Sequence, residues 1–301
     1  MSLATAYAAA LRVHRERPRI LEPAYCLYWM TTSHFNSRVI QGASHFVVGR
    51  HTACDGVLEG DESIALRHLL VRSAVLDDGC PRLSILDLET ERGFVLPDGT
   101  VQRSVSVTGP LAFRVGAYAL VALPSEGHLP EEMPTAVPVR PDAPVPAAAQ
   151  RPLSRVTLLP RAVMLADRPT MAVLMPEYRR EIGPHYELAL EAQGGRVSVF
   201  LSAADMERGV LVGRATKCLD AGLRAILNLG ISRVHVLLLR DGSECRAYDI
   251  ASTQGTLEAG RRIRQVRLDD EGTRLELGTS TGIRLTWRSV GTGRSEGRKD
   301  E

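Results

Sequence analysis

Lysine is almost missing from this chain: of 37 cationic side chains only Lys217 and Lys299 are lysines. Arginine, which fills the remaining positions, carries a planar fork of donors that grips phosphate bidentately. Formal net charge is +2, which supplies no general attraction to nucleic acid or to an anionic membrane. No apolar run approaches the ~20 residues of a membrane-spanning helix, so no membrane insertion is expected. The five cysteines, Cys26, Cys54, Cys80, Cys218 and Cys245, are widely spaced and form no CxxC pair. That spacing argues against a disulfide framework and against zinc; reduced thiols in a cytoplasmic protein are expected. Phosphate-loop, HExxH and Asp-rich metal motifs are absent. The nearest approach to a nucleophile elbow, Gly230-Ile231-Ser232-Arg233-Val234, lacks its closing glycine. No enzyme, no metal and no cofactor are expected.

What is present is enough chain for two domains, 301 residues of which 44% are hydrophobic and 24% charged. The amino terminus, SLATAYAAALRVHR, carries its positive charges after the apolar stretch, the reverse of a secretory leader. It is expected to form a short helix with Leu3, Tyr7 and Leu11 on one face. Between Pro124 and Pro184 lie twelve prolines, counting both ends. At that density proline denies backbone donors to helix and sheet alike, which marks a linker. Its later piece, VTLLPRAVMLADRPTMAVLMPEY, is apolar enough to dock as an edge strand. Thr170 lies inside it. If phosphorylated, it would be placed for capture by the chain's own second half; the plain alternative is a docked, buried threonine.

The flanking halves each show short runs rich in Val, Ile and Leu, separated by turn residues, as antiparallel β-sandwiches do. They also share landmarks in one order. Gly49-Arg50 and Gly213-Arg214 each close a strand; ALRH at 65–68 and SRVH at 232–235 each lead into another. Asp87 precedes Gly93, and Asp249 precedes Gly255, by six residues; Gly116 and Gly278 follow those glycines by twenty-three. A tandem repeat explains the agreement. The arginine-rich GRRIRQVR at 260–267 alternates and is expected to be an ordinary exposed strand, so no nucleic-acid partner is inferred from it.

With LVGR, ISRVH, YDIASTQGT, LELG and IRLTW in this order, residues 186–288 resemble the forkhead-associated (FHA) family of phosphothreonine-binding modules. The resemblance implies an all-β fold of two FHA-type antiparallel sandwiches joined by the Pro-rich linker. The implied layout is a helix and extension over 1–21, a sandwich over 22–124, the linker over 125–182, a second sandwich over 183–290 and a disordered tail over 291–301. It also implies Arg214 and Ser232 as phosphate ligands, Arg233 and Thr253 in support, and Gly213, His235 and Gly255 as structural residues at the site. Gln254 stands where the family usually has the Asn that grips the peptide backbone, so binding is expected to be weaker or altered in sequence choice. The first half keeps the frame through Arg50 and His68, but Ala65 replaces the serine, Leu66 the following arginine and Arg92 the asparagine. Two functions stay open: a bacterial adaptor binding phosphothreonine proteins in Ser/Thr kinase signalling, or a scaffold whose FHA folds bind partners without phosphate.

Overall fold

The strand β1 (Ala24–Met30, AYCLYWM) is buried at every position. Alternate residues of a strand face opposite ways, so such a run needs cover on both sides. Tyr25, Leu27 and Trp29 enter a sandwich core, whereas Cys26, Tyr28 and Met30 face out beneath a helix, α1 (Leu3–Glu16). The helix buries Ala6, Tyr7, Ala10 and Leu11, with Leu3 only partly buried. The alanines admit close approach; burying Tyr7 and Leu11 contributes about 1.5–3 kcal/mol each. Ser2 caps the helix by accepting from the Thr5 N–H at 3.1 Å.

The computed structural model describes residues 1–127, 129–134, 185–193, 195–218 and 227–290. Thr170, the docked segment expected in the linker and the tail over 291–301 lie outside the described residues. Two compact units divide the chain, Met1–Ser154 and Arg155–Glu301.

In the first unit β1 is followed by β2 (Phe35–Gln41), β3 (His45–Gly49), β4 (Gly56–Val57), β5 (Leu69–Val75) and β6 (Pro81–Asp87). Then come β7 (Phe94–Val95), β8 (Val101–Gln102), β9 (Ser104–Val107), β10 (Leu111–Val115) and β11 (Tyr118–Pro124). They form sheets in the orders β2-β1-β11-β10-β7-β8 and β4-β3-β5-β6-β9.

The second unit opens with β12 (His185–Ala192), β13 (Gly195–Ser202), the helix α2 (Ala203–Arg208), β14 (Val210–Val212), β15 (Val236–Asp241) and β16 (Glu244–Asp249). It closes with β17 (Thr256–Glu258), β18 (Arg261–Ile263), β19 (Gln265–Leu268), β20 (Thr273–Leu277) and β21 (Arg284–Val290). Its sheets run β13-β12-β21-β20-β17-β18 and β14-β15-β16-β19, which among the described residues repeat the first unit's orders; the stretch that would correspond to β4 lies outside the described residues. Both units are therefore antiparallel β-sandwiches of one strand order, apart from the short parallel pairing of β3 with β4.

Four details depart from the sequence reading. The stretch 260–267 is two strands, β18 and β19, lying in different sheets. The chain crosses between sheets at Arg264, whose carbonyl accepts from the Asp249 N–H at 2.8 Å. The edge strand β2 escaped notice because solvent takes one of its faces and its residues are largely polar. The helix α2 is too short for a helical period; it is specified by a capping box between Ser202 and Asp205. Residues just past β11 pack back on α1 rather than leading straight into a linker. The Tyr7 hydroxyl donates to the Pro130 carbonyl at 2.9 Å, Arg15 pairs with Glu131 at 2.6 Å, and Leu129 and Met133 join the helix's apolar cluster.

His14 lies in the last turn of α1, with Nδ1 3.1 Å from the Tyr28 hydroxyl. Burial holds its pKa below the ordinary imidazole value, and the Arg17 charge adds to the effect. The folded pKa being depressed, the unfolded chain takes up the proton first. Helix docking is thus at full strength above the ordinary imidazole range and weakens as pH falls through it. Amide exchange in α1 should accelerate, relative to the sandwich strands, between about pH 7 and pH 5. His14→Gln, which cannot take a proton, should remove most of that dependence; a wild-type profile already flat would refute the assignment.

Candidate functional site

The site begins where β14 ends. Gly213 is required by close approach: a Cβ there would lie 2.3 Å from the Arg233 carbonyl oxygen. The next two residues are stitched to the loop before β15, Arg214 N–H donating to the Ser232 carbonyl at 3.3 Å and Ala215 N–H to the Arg233 carbonyl at 2.9 Å. The Arg214 side chain is then oriented by its own Nε, which donates to the Ile231 carbonyl at 2.8 Å. With Nε committed, the two terminal nitrogens are left to face an anion from an exposed position. Among the described residues neither Arg214 nor the exposed Arg233 forms an ion pair.

His235 carries the arrangement. It has 0% exposure, and its Nδ1 accepts from the Ser232 N–H at 3.3 Å while Nε2 lies 3.0 Å from the Gly255 carbonyl. A backbone donor on one nitrogen and an acceptor on the other select the neutral tautomer protonated at Nε2. One buried ring therefore locks the Ser232 loop to the 252–255 turn. That turn is organised from below by Asp249, whose carboxylate accepts from the Ser252 N–H at 2.9 Å, the Ser252 hydroxyl at 2.5 Å and the Thr256 hydroxyl at 2.7 Å. The loop and turn also meet at the rim, where Ser232 Oγ accepts from the Thr253 N–H at 3.0 Å. That hydroxyl reaches Thr253 Oγ1 only at 3.5 Å, so its proton can turn to a better acceptor. Beside it Thr253 is exposed and Gln254 half-buried. On the far side Gly278 N–H donates to the Gly255 carbonyl at 2.8 Å, tying in the β20–β21 hairpin.

The first unit repeats much of this frame. Arg50 Nε donates to the Ile64 carbonyl at 2.8 Å, and its N–H to the Ala65 carbonyl at 3.2 Å. His68 accepts from the Ala65 N–H at 3.1 Å and reaches the Gly93 carbonyl at 2.9 Å. Asp87 accepts from the Thr90 N–H at 3.1 Å and the Thr90 hydroxyl at 2.5 Å. Glu89 and Ala251, each two residues past the aspartate, share the left-handed backbone, with φ of 55° and 48°. Hydrogen bonds thus pair Ala65 with Ser232 and Leu66 with Arg233, and the place before the turn glycine pairs Arg92 with Gln254. The rim chemistry differs: Ala65 has no hydroxyl, Leu66 no charge, and Glu91 and Arg92 stand exposed where Thr253 and Gln254 stand. Arg103 crosses beneath, donating to the Glu91 carbonyl at 3.0 Å and to Asp87 at 2.8 Å.

Two further positions were overlooked in the sequence although their spacing announces them. Cys54 and Cys218 each lie four residues past the arginine. Their thiols donate to the carbonyls of Leu66 at 3.2 Å and Arg233 at 3.3 Å. Desolvation pushes the Cys54 thiol up to about 11, so it stays a protonated donor. Asp61 and Asn228 each lie three residues before an isoleucine, and both accept from the N–H two residues on, at 2.9 and 3.0 Å. Each then anchors its loop to the C-terminal hairpin, Asp61 by accepting from the Ala117 N–H at 2.8 Å and Asn228 by donating to the Thr281 carbonyl at 3.2 Å.

No protein-family model and no curated protein match the chain. Solved FHA domains match over about a third of it. The FHA-1 domain of Rv1747 from Mycobacterium tuberculosis is 25% identical, with 36% of this chain and 97% of that one covered, at a TM-score of 0.26. The FHA domain of the CT664 protein from Chlamydia trachomatis is 16% identical, with 33% and 96% covered, at 0.29. A structure from work on phosphothreonine-dependent FHA domain interactions is 24% identical, with 35% and 95% covered, at 0.27.

Proposed function

We propose that this chain is a tandem FHA-type protein whose second module binds phosphothreonine peptides at the rim formed by Arg214, Ser232, Arg233 and Thr253. The observation that supports this reading most is that the Arg214 side chain is oriented by the Ile231 carbonyl, on the same His235-locked loop that carries the Ser232 hydroxyl. A phosphothreonine brings close to two negative charges and three acceptor oxygens. Charge-assisted hydrogen bonds contribute about 1.5–3 kcal/mol each, so two or three with backbone contacts amount to micromolar affinity. Such affinity suits a reversible adaptor in a Ser/Thr kinase pathway, and a cytoplasmic setting is part of the proposal. The first module is read differently. Ala65, Leu66 and Glu91 favour a contact surface that works without phosphate, which keeps a scaffolding role for that half.

Calorimetry of the full chain against matched peptides tests the proposal. A phosphothreonine peptide selected from an oriented library should bind, its unphosphorylated twin should not, and Ser232→Ala should weaken binding by about tenfold through loss of one charge-assisted donor. Equal binding of the two peptides would sink it.

A further inference from the structure

The turn that carries Thr253 ends in Gln254, and the side chain of Gln254 does not stand alone. The β20–β21 hairpin comes up against it so closely that a Cβ on Gly278 would lie 2.9 Å from the Gln254 Cβ. The next hairpin residue, Thr279, donates its hydroxyl to Gln254 Oε1 at 3.2 Å. A carboxamide is planar, with its acceptor and its two donors on opposite arms. Holding the oxygen against the hairpin turns the NH2 group the other way. The first module arrives at the same polarity by another route. Its equivalent residue is Arg92, which has only donors, and its hairpin residue at the place of Thr279 is Ala117, which has no hydroxyl.

We infer that Thr279 is a positioning residue that fixes Gln254 as a hydrogen-bond donor, so that the second module reads a main-chain carbonyl of the bound peptide beside its phosphothreonine; this rests on the phosphopeptide reading of that module. The contact spends no acceptor on the peptide. Thr279 is exposed and touches no core residue's role, so replacing its hydroxyl leaves the sandwich intact.

The test is a double-mutant cycle on the full chain, read by fluorescence anisotropy with the library-selected phosphothreonine peptide and its unphosphorylated twin. Thr279→Val is expected to weaken binding about fivefold, the size of one neutral hydrogen bond. Thr279→Ser, which restores the hydroxyl, should bind within about twofold of wild type, a change worth less than half of such a bond. In a Gln254→Ala background Thr279→Val should add nothing, because the group it positions has gone. Wild-type affinity in Thr279→Val, or the same loss on top of Gln254→Ala, overturns the inference while the phosphopeptide preference stands. A wild-type chain that does not distinguish the two peptides overturns both.

Discussion

Arg214→Ala should abolish phosphothreonine-peptide binding, a loss of at least about a hundredfold, while Arg50→Ala leaves the affinity of the full chain unchanged. The two arginines have the same backbone frame and the same Nε anchor, 2.8 Å from the Ile64 and Ile231 carbonyls. What separates them is the loop to which each is stitched. The loop that holds Arg214 carries a hydroxyl on Ser232 and a second guanidinium on Arg233; the loop that holds Arg50 carries Ala65 and Leu66. Removing the Arg214 fork takes away two charge-assisted hydrogen bonds of about 1.5–3 kcal/mol each, which corresponds to two or more orders of magnitude in affinity. Arg214→Lys should fall between, since an ammonium keeps the charge and loses the bidentate geometry. Anisotropy titration reads all three variants, and thermal midpoints should move little because Arg214 is exposed. A hundredfold loss in Arg50→Ala instead would place the binding site in the first module.

His235→Ala should lower the stability of the second sandwich by about 3 kcal/mol, and His68→Ala that of the first by a similar amount. Both rings are buried, at 0% and 1% exposure. Truncating His235 leaves the Ser232 N–H without its acceptor, a penalty of about 1–3 kcal/mol, and opens a cavity the size of an imidazole. The Gly255 carbonyl suffers less, since it still accepts from the Gly278 N–H at 2.8 Å. For a sandwich of about a hundred residues such a loss lowers the melting midpoint by about 10–20 °C, which scanning calorimetry resolves. Peptide binding should fail in His235→Ala well below that midpoint, because the Ser232 loop and the 252–255 turn are no longer locked together. Retention of both stability and binding would show that the ring is not the clamp.

Much of this was legible before any coordinates. Paired landmarks at equal spacing, Gly-Arg, Arg-x-His or Arg-His, Asp-x5-Gly and the later glycine, announced two copies of one fold. The amphipathic SLATAYAAALRVHR implied a helix with Leu3, Tyr7 and Leu11 on one face, whereas that this face covers β1 was read only from the structure. Elements missed were those whose signal is weak by nature: the polar edge strand β2, the single turn and a half of α2, and the switch of sheets at Arg264. Equal spacing could also have exposed Cys54 with Cys218, and Asp61 with Asn228. They were passed over because a lone cysteine or an Asx residue in a loop ordinarily signals nothing.

What the amino-acid sequence determined by itself was the order and type of the repeated elements and the substitution of Ala65 and Leu66 for Ser232 and Arg233. Those are local properties, carried by side-chain period and residue identity. Tertiary structure alone decided which of these residues meet. Sequence spacing cannot show that Arg214 is aimed by the Ile231 carbonyl, that His235 uses both nitrogens on backbone groups of two different loops, or that Thr279 holds the oxygen of Gln254. Each of those contacts joins segments brought together by packing one sheet on another, and the hydrogen-bonding needs of buried backbone groups are settled only once that packing is complete.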